Sequence, residues 1–214
     1  METDEASPDV ASRKTRRLFT GLKINISQSL STAIKKMRIG AERREIDLHW
    51  VIGDNYHLTL NFLGATAEAE IPIILDLCQK VCEDVAPFST SLRGVGCFPD
   101  DHHMRTLWIG VRNCRALQEL QTRLHEQLTS AGFIKDALDE RPYIPHLTIA
   151  KTRKARSATD LISPFVRTKF GEVEIETVIL FESVQHGPHT TYKVLASFPL
   201  NGSASEALAP IEQE

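Results

Sequence analysis

The sequence predicts an α+β fold built largely on antiparallel strands, and three observations predict it. Short apolar or alternating runs recur along the chain, punctuated by Gly, Pro, Asn and Asp. Between them stand stretches whose apolar residues recur at three- and four-residue steps, the period of a helix packed on one face. Two four-residue phrases, His57-Leu58-Thr59-Leu60 and His146-Leu147-Thr148-Ile149, sit in similar surroundings. The order of strand, helix and His-phrase strand in the first half is loosely echoed in the second. Two related lobes facing each other across a groove would bring the phrases together. At 214 residues the chain can hold one sizeable core, or two small lobes sharing one.

Residues 1–15 and 201–214 are polar, small or acidic and read as disordered tails around a bilobal domain over 16–200. Arg17 to Ile24 reads as a strand, and Ser27 to about Met37 as a helix with Ser27 near its cap. Leu48 to Ile52 and His57 to Leu63 read as short strands flanking Gly53-Asp54-Asn55, a hairpin-type turn signal. A helix is expected from about Ala67 to Val85, with Ile71, Ile74, Leu75, Cys78 and Cys82 on its buried face. Phe88 to Phe98 and Thr106 to Val111 are the next strands, separated by the loop Pro99-Asp100-Asp101-His102-His103. Leu117, Leu120, Leu124 and Leu128 mark a helix from about Ala116 to Ala131, ended by Gly132. The Pro-containing stretch Arg141-Pro142-Tyr143-Ile144-Pro145 leads into the second His strand. Late strands are expected near Val173 to Phe181 and Thr191 to Phe198.

In an extended strand, each phrase places its His and Thr on one face and its Leu or Ile on the other. Burying the aliphatic face leaves two imidazoles and two hydroxyls, His57, Thr59, His146 and Thr148, on the floor of a cleft. Histidine titrates near neutrality, so one imidazole can act as base while the other acts as acid. The hydroxyls can donate to non-bridging phosphate oxygens, where preorganised donors help most. This is the set that metal-free acid and base work on a phosphate ester needs, and the arrangement itself requires no metal or cofactor.

The match runs beyond the phrases. RRLFTGL, WVIGDNYHLTLNFLG, GVGCFP followed by RTLWIGV, RPYIPHLTIAK and ILFESV occur in that order. Together they resemble the 2H phosphoesterase superfamily, specifically the LigT-like RNA 2′,3′-cyclic phosphodiesterases, also called 2′-5′ RNA ligases. That family's hallmark is two His-x-Thr-x motifs, and the resemblance covers about Arg16 to Leu200. It implies two pseudo-symmetric lobes, each a largely antiparallel sheet backed by helices, with the active site in the groove between them. It also implies opening of RNA 2′,3′-cyclic phosphate ends to 2′-phosphates, with His57 as the acid and His146 as the base. The residues alone leave that order open, because the motifs are nearly equivalent. Reversible 2′-5′ joining of RNA ends would use the same groups in the opposite direction. Tyr143 stands where the family commonly has Phe, and Lys151 where it commonly has Arg. Lysine keeps the charge but loses bidentate geometry.

Arg141 and Lys151 flank the second motif and are candidate phosphate contacts. Arg153, Lys154 and Arg156 follow, giving four basic residues in the six from Lys151 to Arg156, a candidate rim for an RNA backbone. Tyr143 and Tyr56 adjoin the motifs and could stack on a nucleobase. His102-His103 and His186/His189 lie among turn residues, which favours surface loops over a metal site. The net charge of -3 excludes a blanket polycation. Cys78, Cys82, Cys97 and Cys114 lack paired zinc spacing, and no stretch approaches the ~20 apolar residues of a membrane helix. The expected protein is a cytoplasmic monomer acting on RNA ends or nucleotides that carry a 2′,3′-cyclic phosphate. The alternatives are a small-molecule cyclic phosphodiesterase of the ADP-ribose cyclic phosphate type and a non-catalytic RNA- or nucleotide-binding module.

Overall fold

Nine strands form one mixed-order, antiparallel sheet in the computed structural model, which describes residues 14–134, 142–186 and 189–203. Arg141 and most of the two predicted tails lie outside the described residues. The first strand, β1 (Thr15–Lys23), leads to α1 (Gln28–Glu42), whose first turn is capped by Ser27 accepting from the Leu30 amide. Leu30, Ala33, Ile34, Met37 and Ala41 are its buried stripe. The helix outruns the expected stop at Met37 because Ala41 still faces the core. β2 (His49–Trp50) is short, and β3 (His57–Ala67) carries the first phrase.

A second helix, α2 (Ile71–Glu83), buries Ile74, Cys78, Val81 and Cys82, and burial pushes the Cys78 and Cys82 thiols up to about 12. β4 (Phe88–Phe98) and β5 (Met104–Val111) pair as neighbours. α3 (Arg115–Ser130) buries Leu117, Leu120, Leu124 and Leu128 as its spacing requires, and Gly132 ends it at a φ of 81° that favours glycine. β6 (His146–Arg156) carries the second phrase, followed by the short α4 (Thr159–Ile162). β7 (Lys169–Ile175), β8 (Thr177–His186) and β9 (His189–Pro199) complete the chain.

The strand order β7-β4-β5-β6-β3-β1-β8-β9 divides at its middle into two halves of four strands, with β2 added on β6. α2 packs on α3 and on β8 and β9, behind the half that holds β3. α1 packs on α4 and β7, behind the other half. These are the two predicted lobes, fused through one sheet. The seam is a single antiparallel pair, Leu58 opposite Leu147, both fully buried.

Two strand expectations are corrected. The Gly53–Asn55 turn does not join a hairpin; β2 pairs with β6 instead, through His49 with Lys151 and Trp50 with Ala150. β1 and β6 already occupy the two edges of β3, so no ladder remains there for β2. The expected strand from Val173 to Phe181 breaks at Glu176 into β7 and β8. These pair with β4 and β1, in opposite halves, because Ile175 and Val178 are both buried and an unbroken strand could not deliver them to separate lobes.

Candidate active site

Side-chain alternation sets the floor of the cleft. Leu58, Leu60, Leu147 and Ile149 are buried toward the helices, while His57, Thr59, His146 and Thr148 are half-buried on the other face. Antiparallel pairing of Leu58 with Leu147 sets His57 opposite Thr148, and Thr59 opposite His146. A local two-fold axis through the seam therefore relates the two motifs.

Both imidazoles are held in the same way. His57 Nδ1 donates to the Asn55 carbonyl at 2.8 Å, and His146 Nδ1 donates to the Ile144 carbonyl at 2.8 Å. A carbonyl can only accept, so each Nδ1 carries the hydrogen and each Nε2 is left for chemistry. Rings then fix the orientation. His57 meets Tyr192 edge-on at 4.5 Å between centroids, with Phe19 at 5.0 Å and Phe181 at 5.7 Å. His146 meets Phe98 edge-on at 5.0 Å and Trp108 at 6.1 Å. Trp108 pairs with Gly96 across the strands; a Cβ there would lie 2.3 Å from the indole, so only glycine lets the ring lie flat.

Burial lowers the pKa of both histidines, and the carbonyl bonds oppose this. The positive charge of Lys151 lowers both further, and His146 adds to the lowering at His57. The resting pair thus favours neutral imidazoles. A bound phosphate anion reverses part of that bias, because negative charge favours the imidazolium.

Matching irregularities shape the rim. In β3 the register with β1 slips around Leu60, and in β6 the register with β5 slips around Ile149. Each bulge inserts one residue and turns the following side chains over. Leu60-Asn61 and Ile149-Ala150 are consecutive buried pairs as a result, and Phe62 and Lys151 return to the cleft face. These two occupy two-fold-related positions with opposite chemistry: an exposed phenyl ring and an exposed ammonium.

Lys151 stands on the cleft face, close enough for its charge to lower the pKa of both histidines. Tyr143 is half-buried, and its hydroxyl donates to the Thr59 carbonyl at 3.0 Å, bracing the approach to β6 against β3. Tyr56 is buried in the core with its hydroxyl on the Val51 carbonyl, so it presents no ring face to a base. His103 bonds with Asp100, and His125 donates to Asn61, while the side chains of His186 and His189 lie outside the described ones. Among the described residues no three His, Cys, Asp or Glu side chains gather as a metal site requires. Sequence reasoning missed Phe62, Tyr192, Phe19, Phe98, Trp108 and Lys23, the last standing opposite His57 on β1. Extending the alignment of the two phrases by two residues would have paired Phe62 with Lys151.

Residues 27–187 match the model of the 2'-5' RNA ligase superfamily. An RNA 2',3'-cyclic phosphodiesterase of Methanocaldococcus jannaschii is 31% identical over 182 residues, covering 84% of this chain and 98% of the relative. Its counterpart in Aquifex aeolicus is 29% identical, covering 88% of this chain and 100% of the relative. Among solved structures, a Thermus thermophilus protein superposes with a TM-score of 0.70 at 24% identity, over 87% of this chain and 98% of that one. Escherichia coli LigT superposes with a TM-score of 0.64 at 21% identity, over the same shares. These two likenesses concern the fold.

Proposed function

Because the chain belongs to the 2'-5' RNA ligase superfamily, we propose that it hydrolyses 2′,3′-cyclic phosphate ends of RNA to 2′-phosphomonoesters, with His57 and His146 as acid and base. The activity is the one named for its relatives. The observation that carries the reading is the matched tethering of both imidazoles through Nδ1, which leaves two Nε2 atoms on one cleft floor.

In the proposed step, water attacks phosphorus and His146 Nε2 takes its proton. The bond from phosphorus to the 3′ oxygen breaks, and the protonated His57 Nε2 delivers its proton to that oxygen. One imidazole gains a proton and the other loses one, so the pair must exchange states before the next turnover. Thr59 and Thr148 donate to the non-bridging oxygens as charge builds on them. Lys151 adds a fixed positive charge beside the phosphate. Phe62 offers an exposed ring face on which the terminal base can stack. The order of acid and base follows the family resemblance, since the two-fold leaves the motifs equivalent in geometry.

No helix among the described residues is long and apolar enough to cross a membrane. The chain acts, on this reading, as a monomer in a reducing cytoplasm, where its four free cysteines stay reduced. The test is incubation with an oligoribonucleotide ending in a 2′,3′-cyclic phosphate, in excess EDTA, with 2′- and 3′-phosphate products resolved. A 2′-phosphate product is expected. A 3′-phosphate, or turnover that requires an added metal, would overturn the reading.

A further inference from the structure

We infer that the end of β6 beyond Lys151 is a track for the RNA backbone leading into the cleft, which makes polymers better substrates than cyclic mononucleotides; the inference rests on the function proposed above. Its basis is a second, wider bulge. Thr106 pairs with Lys151 and Met104 with Arg156, so the single residue Arg105 faces the four residues 152–155. The protrusion is fixed from within. Thr152 Oγ1 donates to the Lys154 carbonyl and accepts from the Lys154 amide, and Arg105 donates to the Arg153 carbonyl at 2.8 Å.

The protrusion displays Lys151, Arg153, Lys154 and Arg156, with Arg105 beneath, all exposed. None of the five forms an ion pair with another described residue, whereas Arg16, Lys80, Arg115 and Arg123 each hold a carboxylate. The acids of the loop between β4 and β5 are engaged elsewhere. Asp100 accepts from the His102 and His103 amides, and Asp101 accepts from the Thr159 hydroxyl. Four cations on the protrusion and a fifth beneath it, none ion-paired among the described residues, repel each other, and the chain as a whole carries a net charge of -3.

The partner that fits is a polyanion passing the active site. A cyclic phosphate occupies the terminal 3′ nucleotide, so an RNA chain can leave the cleft only from its 5′ side. A cyclic mononucleotide carries one phosphate, which the His and Thr residues hold, and it would leave the cations beyond Lys151 with nothing to bind. Lys151, whose charge is felt at both histidines, connects the cleft to the track.

The test compares wild type with a triple variant, Arg153→Ala, Lys154→Ala and Arg156→Ala. The substrates are adenosine 2′,3′-cyclic phosphate and a ten-nucleotide RNA ending in the same group. Wild type should show a higher kcat/KM for the RNA, and the triple variant should bring the ratio of the two toward one. The dependence of log kcat/KM for the RNA on log salt should become shallower by about 2, at roughly 0.7 per lost phosphate contact. Anisotropy of a labelled RNA ending in a 2′-phosphate reads the same track without turnover, so it stands even if the proposed reaction fails. Equal RNA affinity in the two proteins would overturn the inference, as would an unchanged substrate ratio. So would a triple variant that loses only binding to phosphatidylserine vesicles, which would assign the patch to a membrane.

Discussion

The seam between β3 and β6 holds the two motifs in register through one residue pair, and shortening that pair should uncouple them. Leu58 and Leu147 are each 0% exposed and stand directly opposite each other. Leu→Ala at such a site costs about 2–5 kcal/mol, the transfer loss plus the cavity left behind. For a chain of this size each kcal/mol lowers Tm by about 2–4 °C, so either variant should melt roughly 4–20 °C below wild type. Their effects should not add, because the two side chains share one packing site. Catalysis should fall as well. A misplacement of about 1 Å between acting groups can cost ~10²-fold, and the leucines lie one residue from every catalytic side chain proposed. The assay is calorimetry on both single variants and the double. Steady-state hydrolysis of a 2′,3′-cyclic mononucleotide, well below the lowest Tm, completes it. A Leu147→Ala protein that loses the expected stability yet keeps wild-type kcat/KM would refute the idea that this seam sets the catalytic geometry.

Four further outcomes are expected. His57→Ala and His146→Ala should each lower kcat by ~10²–10⁴-fold, with the double variant scarcely slower; a folded single variant at the wild-type rate removes that histidine from the chemistry. The kcat/KM profile should be a bell with apparent pKa values belonging to the coupled pair; burial does most to lower both imidazoles, and Lys151→Met should move the bell to higher pH by removing the positive charge that adds to that lowering. The same lowered pKa values mean that the unfolded chain binds more protons, so calorimetry should show these groups costing stability as pH falls below the unfolded imidazole value of about 6.5. Phe62→Ala should raise KM for a cyclic nucleotide with little change in kcat, since base stacking contributes about 1–3 kcal/mol; an unchanged KM would show that the base sits elsewhere.

The parts of the site legible in the sequence were those that depend on local periodicity. The phase of His and Thr against Leu is a property of any extended strand, so the floor of the cleft could be read from two phrases. The leucine stripe of α3 and the Ser27 cap were legible for the same reason. What depends on register was hidden. The bulges at Leu60 and Ile149 follow from how β1 and β5 lie beside the motif strands, and without them Phe62 and Lys151 would be assigned to the wrong face. Tyr192 and Phe181 reach His57 from strands more than a hundred residues away, and no local pattern announces that contact. Tyr56 looked like a stacking residue because it adjoins the motif, yet its neighbours in space are core residues.

The strand order also constrains how the molecule is made. One half of the sheet, β4 to β7, comes from a single unbroken stretch of chain, while the other takes β1 and β3 from the beginning and β8 and β9 from the end. As the polypeptide leaves the ribosome, the inner half has its strand partners early. The outer half must wait for β8 to find β1, the kind of distant pairing whose loop-closure entropy slows folding. His57 acquires its Phe181 and Tyr192 neighbours only in that last event. A nascent chain would thus present a structured second motif while the first is still unframed, and the enzyme would become active only when its C-terminal strands are in place.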